Sequence, residues 1–275
     1  MNDAEFYSTA TTFLISLAYT QPRILAMFIA IPIFNRQIVP GMIRFSISAG
    51  LGALAAPMLV PTVQATDLGA IQIVMVVIKE AFVGFVMGYL MAIPFWAFEA
   101  VGFLIDNQRG ASIAATLNPL TGNDSSPLGI LFNQAFIVFF FISGGFLLML
   151  GVLYDSFALW DVFNWYPELR PQTMELLLEQ LSRVLRIALL LGSPIIVAMF
   201  LAEIGLALIS RFVPQLQVFF LAMPIKSAIA MMVLMIYAGT LFEYGNGYVN
   251  ELKTVIPFLN DQSGHFKAVT PGARP

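Results

Sequence analysis

The chain contains no cysteine, which excludes disulfides, thiolate nucleophiles and cysteine-held metals together. Its single histidine, His265, stands in a polar tail and reads as a solvated bystander, so a serine–histidine hydrolase inside the apolar part has no general base. Charge is scarce as well: 11% of residues are Asp, Glu, Lys or Arg, against about 25% in an ordinary soluble domain. The net charge is −3 and no basic block occurs, which excludes nucleic acid as a partner on electrostatic grounds. No glycine-rich loop ends in Gly-Lys-Ser or Gly-Lys-Thr, so ATP is not held by that route. Tyr154-Asp155 is half of an aspartyl protease pattern whose Gly-x-Gly-Asp half is missing. These absences predict a chain that is not an enzyme, with no cofactor and no metal. A cleavable signal peptide is not expected either, because Asp3 and Glu5 stand where a basic region should be.

What is abundant is apolar side chain: 59% of the residues, with a mean hydropathy of +0.85. Such a chain cannot cover itself with polar surface, and its apolar runs of roughly 20 residues match about 30 Å of hydrocarbon at about 1.5 Å per residue. Six segments are expected, at about 11–34, 42–60, 71–105, 128–153, 176–212 and 218–244. Barrel strands would alternate over short stretches, so these long runs predict helices. The fold class expected is all-α: a multi-segment membrane protein of interrupted helices and helical hairpins. The second segment is expected to end between Pro57 and Pro61, and Pro22, Pro32 and Pro94 interrupt others. Polar breaks separate the segments at 61–69, 106–127, 155–173 and 214–217. The third carries Trp160, Trp165 and Tyr166, amphipathic rings that suit a membrane interface. The chain divides near Tyr166 into a four-segment block and a hairpin, and a Pro/Gly-containing tail expected to be disordered follows Pro257. Lysine and arginine fall on both sides of any alternating arrangement, so the positive-inside rule gives a divided orientation.

Charges inside apolar segments cost roughly 2.5–3.5 kcal/mol each on insertion scales and therefore invite a functional reading. Lys79 and Glu80 lie early in the third segment, Glu203 and Arg211 in the fifth, Lys226 in the sixth and Glu243 at its end. Neighbours on a helix point about 100° apart, so Lys79 and Glu80 are not expected to pair with each other and each should find a partner elsewhere. Interhelical or intersubunit ion pairing is the favoured role, with a proton or ion relay as the rival. Gly84, Gly88 and Ala92 form a small-residue stripe on which another backbone can lie, and Ser48 with Gly52 repeats the spacing. That partner backbone could belong to this chain or to another.

Two stretches are more specific. One is Asp106-Asn107-Gln108-Arg109-Gly110-Ala111-Ser112, followed by Asn118-Pro119-Leu120, Gly122 and Ser126-Pro127. Such polar, helix-breaking backbone is tolerated at a membrane surface or lining a protein-enclosed cavity. Arg109 could be held by Asp106 or by another subunit's acid. The other stretch is Ser210-Arg211-Phe212-Val213-Pro214-Gln215-Leu216-Gln217-Val218-Phe219-Phe220, continuing to Met223-Pro224-Ile225-Lys226. Together they resemble the SctT/FliR family, the export-gate subunit of bacterial type III secretion systems and flagella. The likeness runs from the Arg23 and Pro32 region to Glu243, and Asp-Asn-Gln-Arg-Gly is more similar to the injectisome (SctT) branch.

The resemblance implies a subunit that joins SctR and SctS homologues, with SctT as a single copy, in a helical assembly around a closed pore. It implies SctU and SctV homologues beneath, the bacterial inner membrane as the site, and an assembly rising toward the periplasm. Unfolded secreted proteins would be the transiting substrates. It makes 1–165 an SctR-like block and 166–256 an SctS-like hairpin. It makes 106–127 a loop plugging the lumen, with Asn118 standing where the family has an aspartate. A reading of another class is a stand-alone ion-coupled transporter working through Glu80, Glu203 and Glu243. Matched halves, which such transporters often have, are not visible.

Overall fold

The computed structural model describes residues 3–35, 38–65, 68–110, 126–164, 171–212, 218–255 and 257. Among the described residues regular structure is helical throughout, without a strand. Seven α-helices follow in order: α1 (Asp3–Ala30), α2 (Gly41–Ala65), α3 (Ala70–Arg109), α4 (Pro127–Ile142), α5 (Gly145–Leu159), α6 (Pro171–Phe212) and α7 (Val218–Glu251). Short 3-10 turns occupy Pro32–Phe34 and Leu252–Thr254. Five of the helices are long and apolar enough to cross a membrane, and α4 with α5 forms a bent pair that could count as a sixth span. The chain is an all-α, multi-span membrane protein.

The structure sharpens several expected boundaries. The segment 128–153 was expected as one run, but it breaks at Ser143-Gly144, where Gly144 takes φ +79°. That left-handed conformation favours glycine and ends α4. Conversely, α2 does not stop at Pro57 or Pro61 but continues to Ala65. Helices α3 and α6 run 40 and 42 residues, or about 60 Å at about 1.5 Å per residue, well beyond a hydrocarbon core of about 30 Å.

Spatially the chain forms two units, each discontinuous in sequence. The first comprises Met1–Ala92, Phe146–Leu177 and Glu251–Pro275, and the second Ile93–Gly145 and Leu178–Asn250. In the first unit α1 packs on α2. Small residues permit it: a side chain at Gly52 would overlap Thr20 and Gln21 of α1. Ser48 donates to Gln21 Oε1 at 2.7 Å one turn away. Pro22 removes an N–H from α1, while Thr20 Oγ1 and Gln21 Nε2 both donate to the nearby Leu17 carbonyl at 2.7 and 3.3 Å. After α1, Pro32 forbids further helix for the residue before it, and Phe34 folds back to stack on Phe28 with centroids 3.7 Å apart.

The second unit is built on phenylalanine. Phe95, Phe98, Phe136 and Phe140 are all fully buried, with Phe98 stacked on Phe136 at 4.2 Å and Phe95 edge-on to it at 5.0 Å. From α7, Phe242 reaches Phe98 and Phe139, and Gly245 lies flat against the same rings. Edge and offset ring pairs add about 0.5–1.5 kcal/mol each to the burial itself.

Candidate functional site

In the first unit, three charges from two apolar helices converge on the end of a third. Arg23 of α1 and Glu80 of α3 are completely buried, and the Lys79 side chain is 10% exposed. Arg23 grips Glu80 with two bonds, Nε to Oε2 at 2.7 Å and Nη2 to Oε1 at 2.9 Å. This two-pronged geometry is the strong form of a guanidinium–carboxylate pair. The remaining Arg23 protons go to the Ser156 carbonyl (2.7 Å), Ser156 Oγ (3.2 Å) and the Trp160 carbonyl (2.8 Å). All five donors of the guanidinium are thereby used. The Phe157 ring lies 4.3 Å from Arg23 Cζ, a cation–π contact. Ser156 and Trp160 stand at the C-terminal end of α5: the Ser156 carbonyl also accepts the Trp160 N–H at 3.0 Å, and the Trp160 carbonyl lies past the last turn, where intrahelical donors run out. Arg23 is thus a cap supplied from another helix.

Lys79 departs from expectation. Its ammonium pairs with Glu80 Oε1 at 2.8 Å. The backbone directions do diverge, but the flexible four-carbon stem of lysine carries the charge back around the helix. It also donates to the carbonyls of Asp161, Val162 and Asn164 at 2.9, 2.6 and 3.0 Å. The cluster holds two cations and one carboxylate, and its excess positive charge faces the negative end of the α5 macrodipole. Directly beside it, a side chain at Gly84 would run into the backbone carbonyl of Arg23, and one at Gly88 into Met27 and Ala30. The backbone lying on the Gly84/Gly88 stripe is therefore α1 of the same chain. Trp160 is buried within the unit. Trp165 and Tyr166 lie outside the described residues.

In the second unit, Asp106 ties together the two ends of the polar stretch. It is 3% exposed. One carboxylate oxygen takes Arg109 Nε at 2.7 Å. The other accepts from Ser126 Oγ at 2.6 Å and from the Leu128 backbone N–H at 2.9 Å. Ser126 in turn caps α4, accepting from the Gly129 N–H at 2.8 Å. Gly102 gives the clearance, since a side chain there would meet the Leu128–Gly129 backbone. The expected loop start is revised accordingly. Asp106, Asn107, Gln108 and Arg109 complete the last turn of α3, and Gly110 ends it with φ +83°. The i,i+3 pair and a basic residue in the final turn make these polar residues good helix enders rather than loop. Asn118, Pro119 and Gly122 lie outside the described residues.

Further along, Lys226 of α7 pairs with Glu203 of α6 at 3.0 Å, with Glu203 half exposed. Arg211 sits in the last turn of α6, exposed, and Pro224 lies inside α7. Pro214 and Gln215 are outside the described residues. Asn133 donates to Glu99 at 3.0 Å, leaving its own carbonyl oxygen without a partner. Among the described residues no three His, Cys, Asp or Glu side chains gather as metal ligands.

Sequence reasoning named Lys79 and Glu80 but missed Arg23 as the partner of Glu80, and the end of α5 as the acceptor of Arg23. An arginine in the middle of the first apolar segment was the available signal, because a charge there must find an acid on another helix.

Comparison with known proteins accounts for most of the chain at once. Residues 14–252 match the family of bacterial export proteins, family 1. Yop proteins translocation protein T of Yersinia pestis is 40% identical over 233 residues, covering 84% of this chain and 89% of that protein. The surface presentation of antigens protein SpaR of Salmonella typhimurium is 32% identical over 78% of this chain and 80% of its own length. The flagellar biosynthetic protein FliR of Bacillus subtilis is 26% identical over 80% and 85%.

Proposed function

The chain belongs to the bacterial export proteins of family 1, the SctT/FliR family, and from that premise we propose that it is a core subunit of a type III secretion export gate. It joins SctR and SctS homologues around a closed pore in the bacterial inner membrane, with SctU and SctV homologues beneath. The assembly projects toward the periplasm, and unfolded secreted proteins are its passengers. The observation that carries this reading is the 40% identity to a Yop translocation protein, spread over 84% of the chain. The lower identity to a flagellar relative, 26%, favours the injectisome branch.

The mechanism is steric and non-catalytic. The segment 106–127 plugs the lumen, anchored at both ends through Asp106. In this scheme 1–165 is the SctR-like block and 166–256 the SctS-like hairpin, a division by kinship with sister subunits rather than by the spatial units above. Helix α7 supports a subunit role: only 11% of its most apolar window is buried by the chain itself. The transporter alternative loses two of its three carboxylates, because Glu80 is bound by Arg23 and Lys79, and Glu203 by Lys226.

The test is expression with and without the SctR and SctS homologues, followed by native mass measurement. A defined complex holding one copy of this chain is expected. A monodisperse lone chain that also performs proton-coupled uptake would overturn the proposal.

A further inference from the structure

The second unit carries a groove of about 400 Å³ lined by Glu179, Gln180, Arg183, Arg186, Ile187 and Leu190 of α6, with Tyr248 of α7. None of these residues takes part in the clusters above. Arg183 and Arg186 are three apart and share a helix face, where Gln180 accepts from Arg183 at 3.4 Å. With Glu179 counted, the groove has one net positive charge.

Immediately beyond Arg186 the character of α6 changes. No charged residue occurs from Ile187 to Ala202, a stretch of about 24 Å at about 1.5 Å per residue. Along the Arg186 face lie Leu190, Val197 and Leu201, at 54%, 54% and 63% exposure. The surface therefore grades from two guanidinium groups and a phenol to a largely apolar track on a single helix, in which the exposed Ser193 turns its hydroxyl back to the Leu190 carbonyl at 2.8 Å. Basic pockets between membrane helices suit phospholipid headgroups, and tyrosine favours the headgroup level.

We propose that Arg183 and Arg186, with Tyr248, bind the phosphate of an anionic phospholipid whose acyl chain lies along Leu190, Val197 and Leu201. Guanidinium is the matching donor for a phosphodiester, being planar and weakly hydrated. The apolar track distinguishes a lipid from a free anion, which would need only the groove. The inference rests on the chain being a membrane protein and is independent of the export-gate reading.

The experiment uses the full chain in detergent micelles, titrated with phosphatidylglycerol or phosphatidylcholine and read by native mass spectrometry. Preferential retention of phosphatidylglycerol is expected. In the Arg183→Gln/Arg186→Gln variant retention should fall by roughly 25-fold, about fivefold per basic residue. Arg183→Lys/Arg186→Lys should keep most of the binding, and Lys253→Gln should keep all of it. If the double glutamine variant does not fold, Arg186→Gln alone carries the test through its fivefold loss, since Arg186 is exposed on the helix surface. Equal retention of both lipids, or undiminished binding by the glutamine variants, overturns the proposal. So does displacement by equimolar inorganic phosphate, which would mark a free-anion site. Loss of partner subunits from the variant with lipid retention unchanged would assign the arginines to a protein acid instead.

Discussion

Removing both members of the Arg23–Glu80 pair should cost little more than removing Glu80 alone. In Glu80→Met, Arg23 and Lys79 remain as buried cations without their carboxylate, and breaking a buried pair from one side costs about 3–5 kcal/mol. In Arg23→Met, Glu80 keeps Lys79 at 2.8 Å, so the charge stays compensated. The loss there is of donors to the Ser156 and Trp160 carbonyls; Ser156 keeps the Trp160 N–H, so the Trp160 carbonyl carries the penalty, about 1–3 kcal/mol for a buried group left unsatisfied. The double variant retains the carbonyl penalty but leaves no stranded Arg23, while Lys79 still holds three backbone carbonyls. Its total should therefore sit about 1–3 kcal/mol below the sum of the single variants, a coupling typical of residues in direct contact. Unfolding in mixed micelles under a denaturing detergent, followed by tryptophan fluorescence, supplies the measurement, and Trp160 reports from within the cluster. Effects that add to within about 0.5 kcal/mol would mean independent sites and refute the idea of a single charge-sharing staple.

Gly84→Ala should lower the melting temperature and release the α1–α3 contact, at about 1–3 kcal/mol for overpacking. Gly50→Ala, where a new Cβ meets nothing within 4 Å, should be tolerated in the same thermal melt. Asp106→Ala removes the acceptor for Arg109, Ser126 and the Leu128 N–H and should destabilise by about 2–4 kcal/mol given charge-assisted bonds of about 1.5–3 kcal/mol. Limited proteolysis should then cut between α3 and α4 more readily. Deleting 118–125 should leave assembly with partner subunits intact while the membrane becomes permeable to small solutes, checked by conductance; a deletion as tight as wild type refutes the plug. Lys226→Glu should weaken co-purification with partners and Glu203→Lys/Lys226→Glu should restore it, as expected for a pair at 3.0 Å.

The number, type and rough extent of the apolar helices were legible because hydrocarbon thickness and the 1.5 Å helical rise impose a length that composition alone reveals. What escaped was set by single residues in three dimensions. The Gly144 break lies inside an unbroken apolar run, and hydropathy is blind to a positive φ. The polar character of Asp106 to Arg109 suggested a loop, yet those residues satisfy one another at a helix end. The Lys79–Glu80 pairing was missed by reasoning from helix azimuth alone, because the reach of a lysine side chain exceeds the offset between neighbouring positions. Arg23 was visible as a charge, but its acid lies 57 residues away, and no spacing rule connects them.

The two units handle polarity in opposite ways, and the contrast bears on what surrounds them. In the first, Arg23 and Glu80 are spent inside, meeting one another and the end of α5, while the buried Trp160 Nε1 finds no acceptor. In the second, polar groups reach an otherwise apolar surface. Glu203 is 48% exposed even while paired with Lys226. Facing hydrocarbon, a half-exposed carboxylate on a transmembrane helix is costly. Facing protein, the same carboxylate becomes a polar contact point, already half neutralised by Lys226. Glu203 is therefore the point on α6 where protein or water, rather than hydrocarbon, is the fitting neighbour.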